Sequence, residues 1–338
     1  MVPTVVFTAV LHMGEKTGSN AELAVRLLDR FDVVRRARAG GAEPELVAWV
    51  ESLPALIGEL LAAWSFEVRG PLGGGTWSVV FEGRLKATGA DGVLKVSVPG
   101  PHTAGDLRTL MAVQGAAAAI VFTADPTRGA VLMERLGQPL YQSTLDTEAQ
   151  LRVCVASLRT YWRTIPDPSP FQLATDWVAE AAAKHRAWWT KAGEPCPESL
   201  LQHAQETARS ILATSAESES VLLMGDPHPA NLLAAAHGRG WKWIDLSALY
   251  GPREFDLGKM LASWHDAVNA APRPELVLQR HCAIIAAASG ADPALLWKWG
   301  LFHRVTSGLW LHVSGEHEWG KAVLGATEAM AKLKNPAF

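Results

Sequence analysis

Residues 221–256 read VLLMGDPHPANLLAAAHGRGWKWIDLSALYGPREFD, and their reading decides the fold. Val221, Leu222 and Leu223 form a short apolar run. A turn-rich segment, Gly225 to Asn231, follows it. Leu232 and Leu233 are apolar again, and turn residues at His237 to Gly240 lead into the alternating strand Trp241-Lys242-Trp243-Ile244, which ends on Asp245. The pattern is a loop and then a hairpin, with Asp226, Asn231 and Asp245 carried on it.

Two plainer readings compete. Asp, Asn, Pro and Gly are ordinary turn formers, so the segment can be a polar turn and nothing else. The second Asp at a strand end, followed by Phe255-Asp256-Leu257, weighs against that. A metallohydrolase built on Asp226, His228 and Asp245 would want more His and carboxylates nearby than the sequence supplies. Kinase-like phosphoryl transfer needs this set: one Asp to take the proton of the attacking hydroxyl, and an Asn and a second Asp to hold metal at the phosphates. Magnesium takes a few protein oxygens plus phosphate oxygens, which an Asn/Asp pair on opposite arms of a hairpin supplies.

Upstream, the period changes to that of strands. Phe66 to Arg69 alternates, Val79 to Leu85 forms a second strand and Gly92 to Val98 a third. Pro71-Leu72-Gly73-Gly74-Gly75-Thr76-Trp77-Ser78 joins the first two. A glycine turn lets backbone approach phosphates closely. It is not a Walker A loop, because no Lys-Ser/Thr follows and no helix opens there. It is closer to a kinase glycine loop, with Ser78 where a third Gly might stand. Lys95 lies within the third strand, in Val-Leu-Lys-Val, where a buried lysine needs a phosphate or carboxylate partner. The alternative is an edge-strand lysine facing solvent.

Before these strands, Ser19-Asn20-Ala21-Glu22 has capping-box spacing and predicts a helix through Arg36. A second helical pattern runs from Pro44 to Trp64 with an interruption at Ser52-Leu53-Pro54. Residues 1–18 read as a strand or loose extension. After the third strand a helix is expected over Thr103 to Ala117. Strands at Ala116 to Phe122 and Ala130 to Glu134 follow, then helices at about 146–165, 174–192 and 197–216, and more from Lys259 onward.

Composition sets outer bounds. The 338 residues suffice for two domains or one bilobed fold, and 49 % apolar with 19 % charged residues is ordinary for a globular protein. The net charge of −3 argues against a nucleic-acid-binding surface. Three widely spaced cysteines form no disulfide framework or metal pattern, which fits a reducing compartment. The N-terminus lacks the basic start of a signal peptide, and its apolar run is too short to span a membrane. A cytoplasmic monomer without a membrane or nucleic-acid partner is expected.

The stretch from about Pro54 to Trp310 resembles the aminoglycoside phosphotransferase family, in the branch that holds streptomycin 6-kinases and hydroxyurea phosphotransferases. Leu53 to Leu56, Pro71 to Thr76, Val93 to Val96, Arg128 to Leu136, Gly225 to Asn231, Trp241 to Asp245 and Phe255 to Leu257 carry the likeness. The family pattern opens His-Gly-Asp, and here Met224 stands in place of that His. The resemblance implies an α+β, bilobed protein-kinase-like fold, with an antiparallel small lobe within residues 1–135 and a mostly helical large lobe over 136–338. It implies ATP and Mg2+ as cofactors and a small-molecule hydroxyl acceptor, an antibiotic such as an aminoglycoside. By the same resemblance Asp226 is the catalytic base, Asn231 and Asp245 are magnesium ligands, and Asp256 and His228 support the loop. Gly73, Gly74, Gly75, Thr76, Ser78 and Lys95 face the phosphates. Kinase-like folds place a Glu on the next helix to pair with the strand lysine, where this helix offers only Asp106, and the backbones of Glu134 and Leu136 meet adenine. Asp266, Glu316 and Glu318 are acidic candidates for an acceptor site that takes a cation. No Arg stands beside Asp226, and Asp-Phe-Gly and Ala-Pro-Glu are missing, so the likeness is not to eukaryotic protein kinases. A small-metabolite kinase and a nucleotide-binding pseudokinase remain as alternatives.

Overall fold

A computed structural model describes residues 19–39, 42–73, 77–115, 117–214, 219–238 and 240–333. The chain divides into two compact units. One comprises Met1–Gln114 and Ala119–Arg135, the other Gly115–Ala118 and Leu136–Phe338.

The first unit is built on a five-stranded antiparallel sheet. Its strands are β1 (Phe66–Pro71), β2 (Ser78–Leu85), β3 (Asp91–Ser97), β4 (Val121–Asp125) and β5 (Ala130–Glu134), in the order β1-β2-β3-β5-β4. β4 starts later than expected, because Ala117 and Ala118 pair instead with Trp243. Three helices, α1 (Asn20–Arg26), α2 (Asp32–Arg38) and α3 (Pro44–Ala63), precede the sheet, and α4 (Pro101–Val113) follows β3.

The capping box at Ser19 and Glu22 forms. The helix it starts does not run through to Arg36: Phe31 is extended and buries its ring edge-on against Phe81, 5.1 Å away, splitting α1 from α2. Asn20 ties α1 to the sheet, donating to the Phe66 carbonyl and accepting from the Val68 N–H. The expected interruption before Pro54 is absent. α3 is continuous, because its buried face from Leu46 to Leu61 holds it in the core against the cost of one proline. α3 is long and apolar enough to cross a membrane by composition, yet that face packs with Phe66, Val79 and Leu94.

The second unit is mostly helical. α5 (Thr147–Tyr161), α6 (Ala174–Lys191) and α7 (Glu198–Thr214) lead to β7 (Ser220–Leu223). A short β6 (Gln172–Leu173) and β10 (Leu249–Pro252) join β7 in a three-stranded sheet, order β6-β10-β7. β8 (Leu232–Ala234) and β9 (Trp241–Trp243) make a two-stranded ribbon. Then come α8 (Glu254–Leu261), α9 (His265–Asn269), α10 (Pro274–Ser289), α11 (Pro293–Val313) and α12 (His317–Lys332).

α8 begins five residues before the expected start at Lys259, so Asp256 and Lys259 share one helix. Its place is set by close packing on α11. A Cβ on Gly258 would lie 2.3 Å from the Trp299 Cβ, so only glycine admits this approach. Phe255, Trp299 and Phe302 complete the buried wall behind it.

Candidate active site

The loop between β7 and β8 turns at Gly225, whose φ is +87°. A Cβ there would also stand 2.4 Å from the Ser247 Cβ. Both conditions require glycine, so the Gly-Asp step follows from sterics before any chemistry. The preceding Met224 is fully buried, and its sulfur accepts the Asp226 N–H at 3.3 Å. The thioether thus fills the space and caps the turn where the family pattern has a histidine.

Asp256 anchors the loop from α8. Its Oδ1 accepts the Gly225 N–H at 2.8 Å, and its Oδ2 accepts the Met224 N–H at 2.9 Å and the Trp162 Nε1–H at 2.8 Å. Burial of this fully enclosed carboxyl pushes it up to about 6, against the opposite pull of the three donors. Trp162 carries no sequence signal that would have singled it out.

Asp226 follows, with 45 % of its side chain open to solvent. Lys259 Nζ lies 3.5 Å from Oδ1 and His228 Nε2 lies 3.4 Å from Oδ2. The His228 Nδ1 accepts the Ala230 N–H at 3.2 Å, so in the neutral ring Nε2 carries the hydrogen toward Asp226. Burial alone would raise the Asp226 carboxyl, but Lys259 and His228 outweigh it and hold it well below the usual carboxylate range. It is therefore an ionised acceptor at neutral pH. Lys259 was not singled out from the sequence. The signal was its spacing: three residues after Asp256, it falls on the same helix face.

The ribbon places the other pair. Leu232 pairs with Trp243, and the Ile244 N–H donates to the Asn231 carbonyl at 2.9 Å, so Asn231 and Asp245 stand at one end of the ribbon on its two arms. Asn231 is buried, and its Nδ2 donates to the Asp226 carbonyl at 3.2 Å, tying it to the start of the loop. Asp245 is exposed and sits at φ +59°, a left-handed conformation that Asp tolerates better than most residues. Among the described residues no group of three or more His, Cys, Asp or Glu is placed to hold a metal, so the metallohydrolase alternative lacks a ligand set there.

Lys95 is half-buried on β3, the central strand of its sheet, opposite Val80 and Val131, so it is not an edge-strand lysine. Asp106 is half-buried on α4, and Ser78 is buried at the start of β2. Gly73 is exposed, while Gly74, Gly75 and Thr76 lie outside the described residues. Glu134 ends β5, its N–H donating to the Ile120 carbonyl and its carboxylate accepting the Ile120 N–H. Leu136 is buried in the second unit. Glu316 and Glu318 are exposed at the start of α12, and Asp266 lies in α9 with its side chain outside the described set.

The family model described as aminoglycoside/hydroxyurea antibiotic resistance kinase matches residues 63–315. A streptomycin 6-kinase of Streptomyces glaucescens is 26 % identical over 274 residues, covering 81 % of this chain and 87 % of that protein. A hydroxyurea phosphotransferase of Kitasatospora aureofaciens is 28 % identical over 283 residues, covering 82 % and 78 %. Among solved structures, aminoglycoside phosphotransferase APH(4)-Ia, as a thermostable mutant in ternary complex with ADP and hygromycin B, superposes with a TM-score of 0.60 at 15 % identity, over 83 % of this chain and 99 % of that one. The ethanolamine kinase of Plasmodium vivax gives 0.55 at 12 % identity, over 94 % and 96 %. Both show the kinase-like fold expected from the sequence.

Proposed function

This chain belongs to the family of aminoglycoside/hydroxyurea antibiotic resistance kinases, and we propose that it transfers the γ-phosphate of ATP to a hydroxyl of a small-molecule antibiotic. The observation that carries this reading is the loop from Met224 to Asn231. Its amides are pinned by Asp256, its one solvent-facing carboxylate is Asp226, and its end adjoins Asp245. The names of these two relatives leave two acceptor chemistries open, the cationic streptomycin and the uncharged hydroxyurea.

In this reading Asp226 accepts the proton of the acceptor hydroxyl, at hydrogen-bond reach, as its oxygen attacks phosphorus. His228 and Lys259 keep that carboxylate ionised and oriented. Asn231 and Asp245 would hold magnesium. They fit it: both offer oxygen, and the bond from Asn231 Nδ2 to the Asp226 carbonyl leaves Oδ1 as the atom to face a cation. Magnesium there supplies the positive charge that offsets the phosphates. Lys95, paired with Asp106, is assigned to the α- and β-phosphates, Gly73 to Thr76 with Ser78 to the phosphate turn, and Glu134 and Leu136 to adenine.

Magnesium-ATP is expected to raise the melting temperature in a concentration-dependent way, by about 2.7 kcal/mol of stability at a hundredfold excess over Kd. Differential scanning fluorimetry reads this directly. No shift at millimolar nucleotide with magnesium would rule the kinase out. A shift without turnover of any acceptor would favour the pseudokinase alternative.

A further inference from the structure

Among the described residues, the groups that touch the Asp226 carboxylate are a lysine and a histidine, not acids. The Lys259 side chain is 22 % exposed against 45 % for Asp226, so its ammonium is held in place by protein. A second cation, Arg304, bonds to the end of the same helix. Arg304 is fully buried, and its hydrogen bonds go to Thr327 Oγ1 and to the carbonyls of Leu261 and Val323 rather than to a carboxylate. Leu261 ends α8, the helix that carries Lys259. Both cations act on one neighbour, His265. Burial first, then Arg304 and Lys259, push its imidazole down to about 3. Asp256 is fully buried and its oxygens are taken by three N–H donors, so it turns no oxygen toward a ligand. Glu318 acts on His312 instead.

We infer that Lys259 determines acceptor specificity by charge: the hydroxyl compound that fits carries no cation beside its reacting oxygen, so uncharged acceptors are preferred to amine- or guanidine-bearing ones. The inference rests on Asp226 being the base. An acceptor oxygen must come within roughly 3 Å of that carboxylate. For an acceptor at Oδ1, a substituent on the neighbouring carbon then lies within a few ångströms of the Lys259 ammonium, which is 3.5 Å from that oxygen. Like charges that close, in a partly desolvated site, weaken binding by about tenfold or more. An uncharged acceptor meets no such repulsion, and the ammonium can remain paired with the base until the proton moves.

The test uses the full-length protein, Lys259→Gln and Lys259→Arg, with streptomycin and hydroxyurea as the charged and uncharged probes. The ratio of kcat/KM for streptomycin over hydroxyurea should rise about tenfold or more in Lys259→Gln, with the KM for ATP unchanged. Lys259→Arg keeps the charge and should keep the wild-type ratio, which separates a charge effect from lost packing. A ratio that Lys259→Gln leaves unchanged, or that Lys259→Arg moves equally far, overturns the inference. If no protein phosphorylates either probe, the proposed reaction fails for these acceptors, and calorimetry with ADP present decides the inference separately. Streptomycin should then bind Lys259→Gln about tenfold or more tighter than wild type. Equal affinities, or no binding to either, overturn it.

Discussion

Asp226→Asn is expected to lower kcat by roughly two orders of magnitude or more, the range of a lost general base, while the melting temperature and magnesium-ATP binding stay near wild type. The reason is local. The loop is held by main-chain contacts that do not use the Asp226 side chain: Asp256 takes the amides of Met224 and Gly225, and Asn231 takes the Asp226 carbonyl. Asparagine preserves the shape and removes the charge, so the proton acceptor and the half-exposed pairing with Lys259 and His228 are lost while the loop's anchors remain. Asp245→Asn and Asn231→Ala should fail differently. Each removes an oxygen proposed to face magnesium, so activity should return in part as magnesium is raised. Magnesium titration of steady-state rates separates the two roles. Rescue of Asp226→Asn but not of Asp245→Asn would mean the assignments are reversed.

Asp256→Ala is the second large effect, and it should fall on stability as well as rate. Its carboxylate satisfies three N–H donors at 2.8, 2.9 and 2.8 Å in a fully buried setting. Removing it leaves those donors unpaired, at about 1–3 kcal/mol each. Burying a carboxylate without a salt-bridge partner is itself costly, which returns part of the loss, so a net destabilisation of about 3 kcal/mol is expected. The turn at Gly225 would lose its anchor, and kcat should fall although Asp226 is chemically intact. Chemical denaturation alongside kinetics checks the pair. Asp226→Asn should lose rate and keep stability, whereas Asp256→Ala should lose both. An Asp256→Ala protein as stable as wild type would refute the anchoring role.

The sequence made legible those features whose signal is local or periodic. The Ser19/Glu22 capping box, the alternating strands around Lys95 and the turn residues from Gly225 to Asn231 each state their structure within a few positions. What stayed hidden depends on distant partners. Phe31 breaks a helix only because Phe81 waits across the core. Pro54 stays inside a helix only because the buried face of α3 outweighs its lost bond. Ala117 and Ala118 leave the expected strand for Trp243, far along the chain. Lys259 shares a helix with Asp256 because α8 starts at Glu254, a start set by packing on Trp299 that leaves no local signal. Trp162 reaches Asp256 across 94 positions, a contact no local pattern announces.

The most direct measurement is transfer of label from γ-labelled ATP to a panel of hydroxylated antibiotics, uncharged and cationic, with magnesium present. The expected result is a labelled acceptor that forms with wild type, requires magnesium and is nearly lost with Asp226→Asn. Label that stays on ATP or passes only to water with every acceptor, while magnesium-ATP still binds, would contradict the kinase reading.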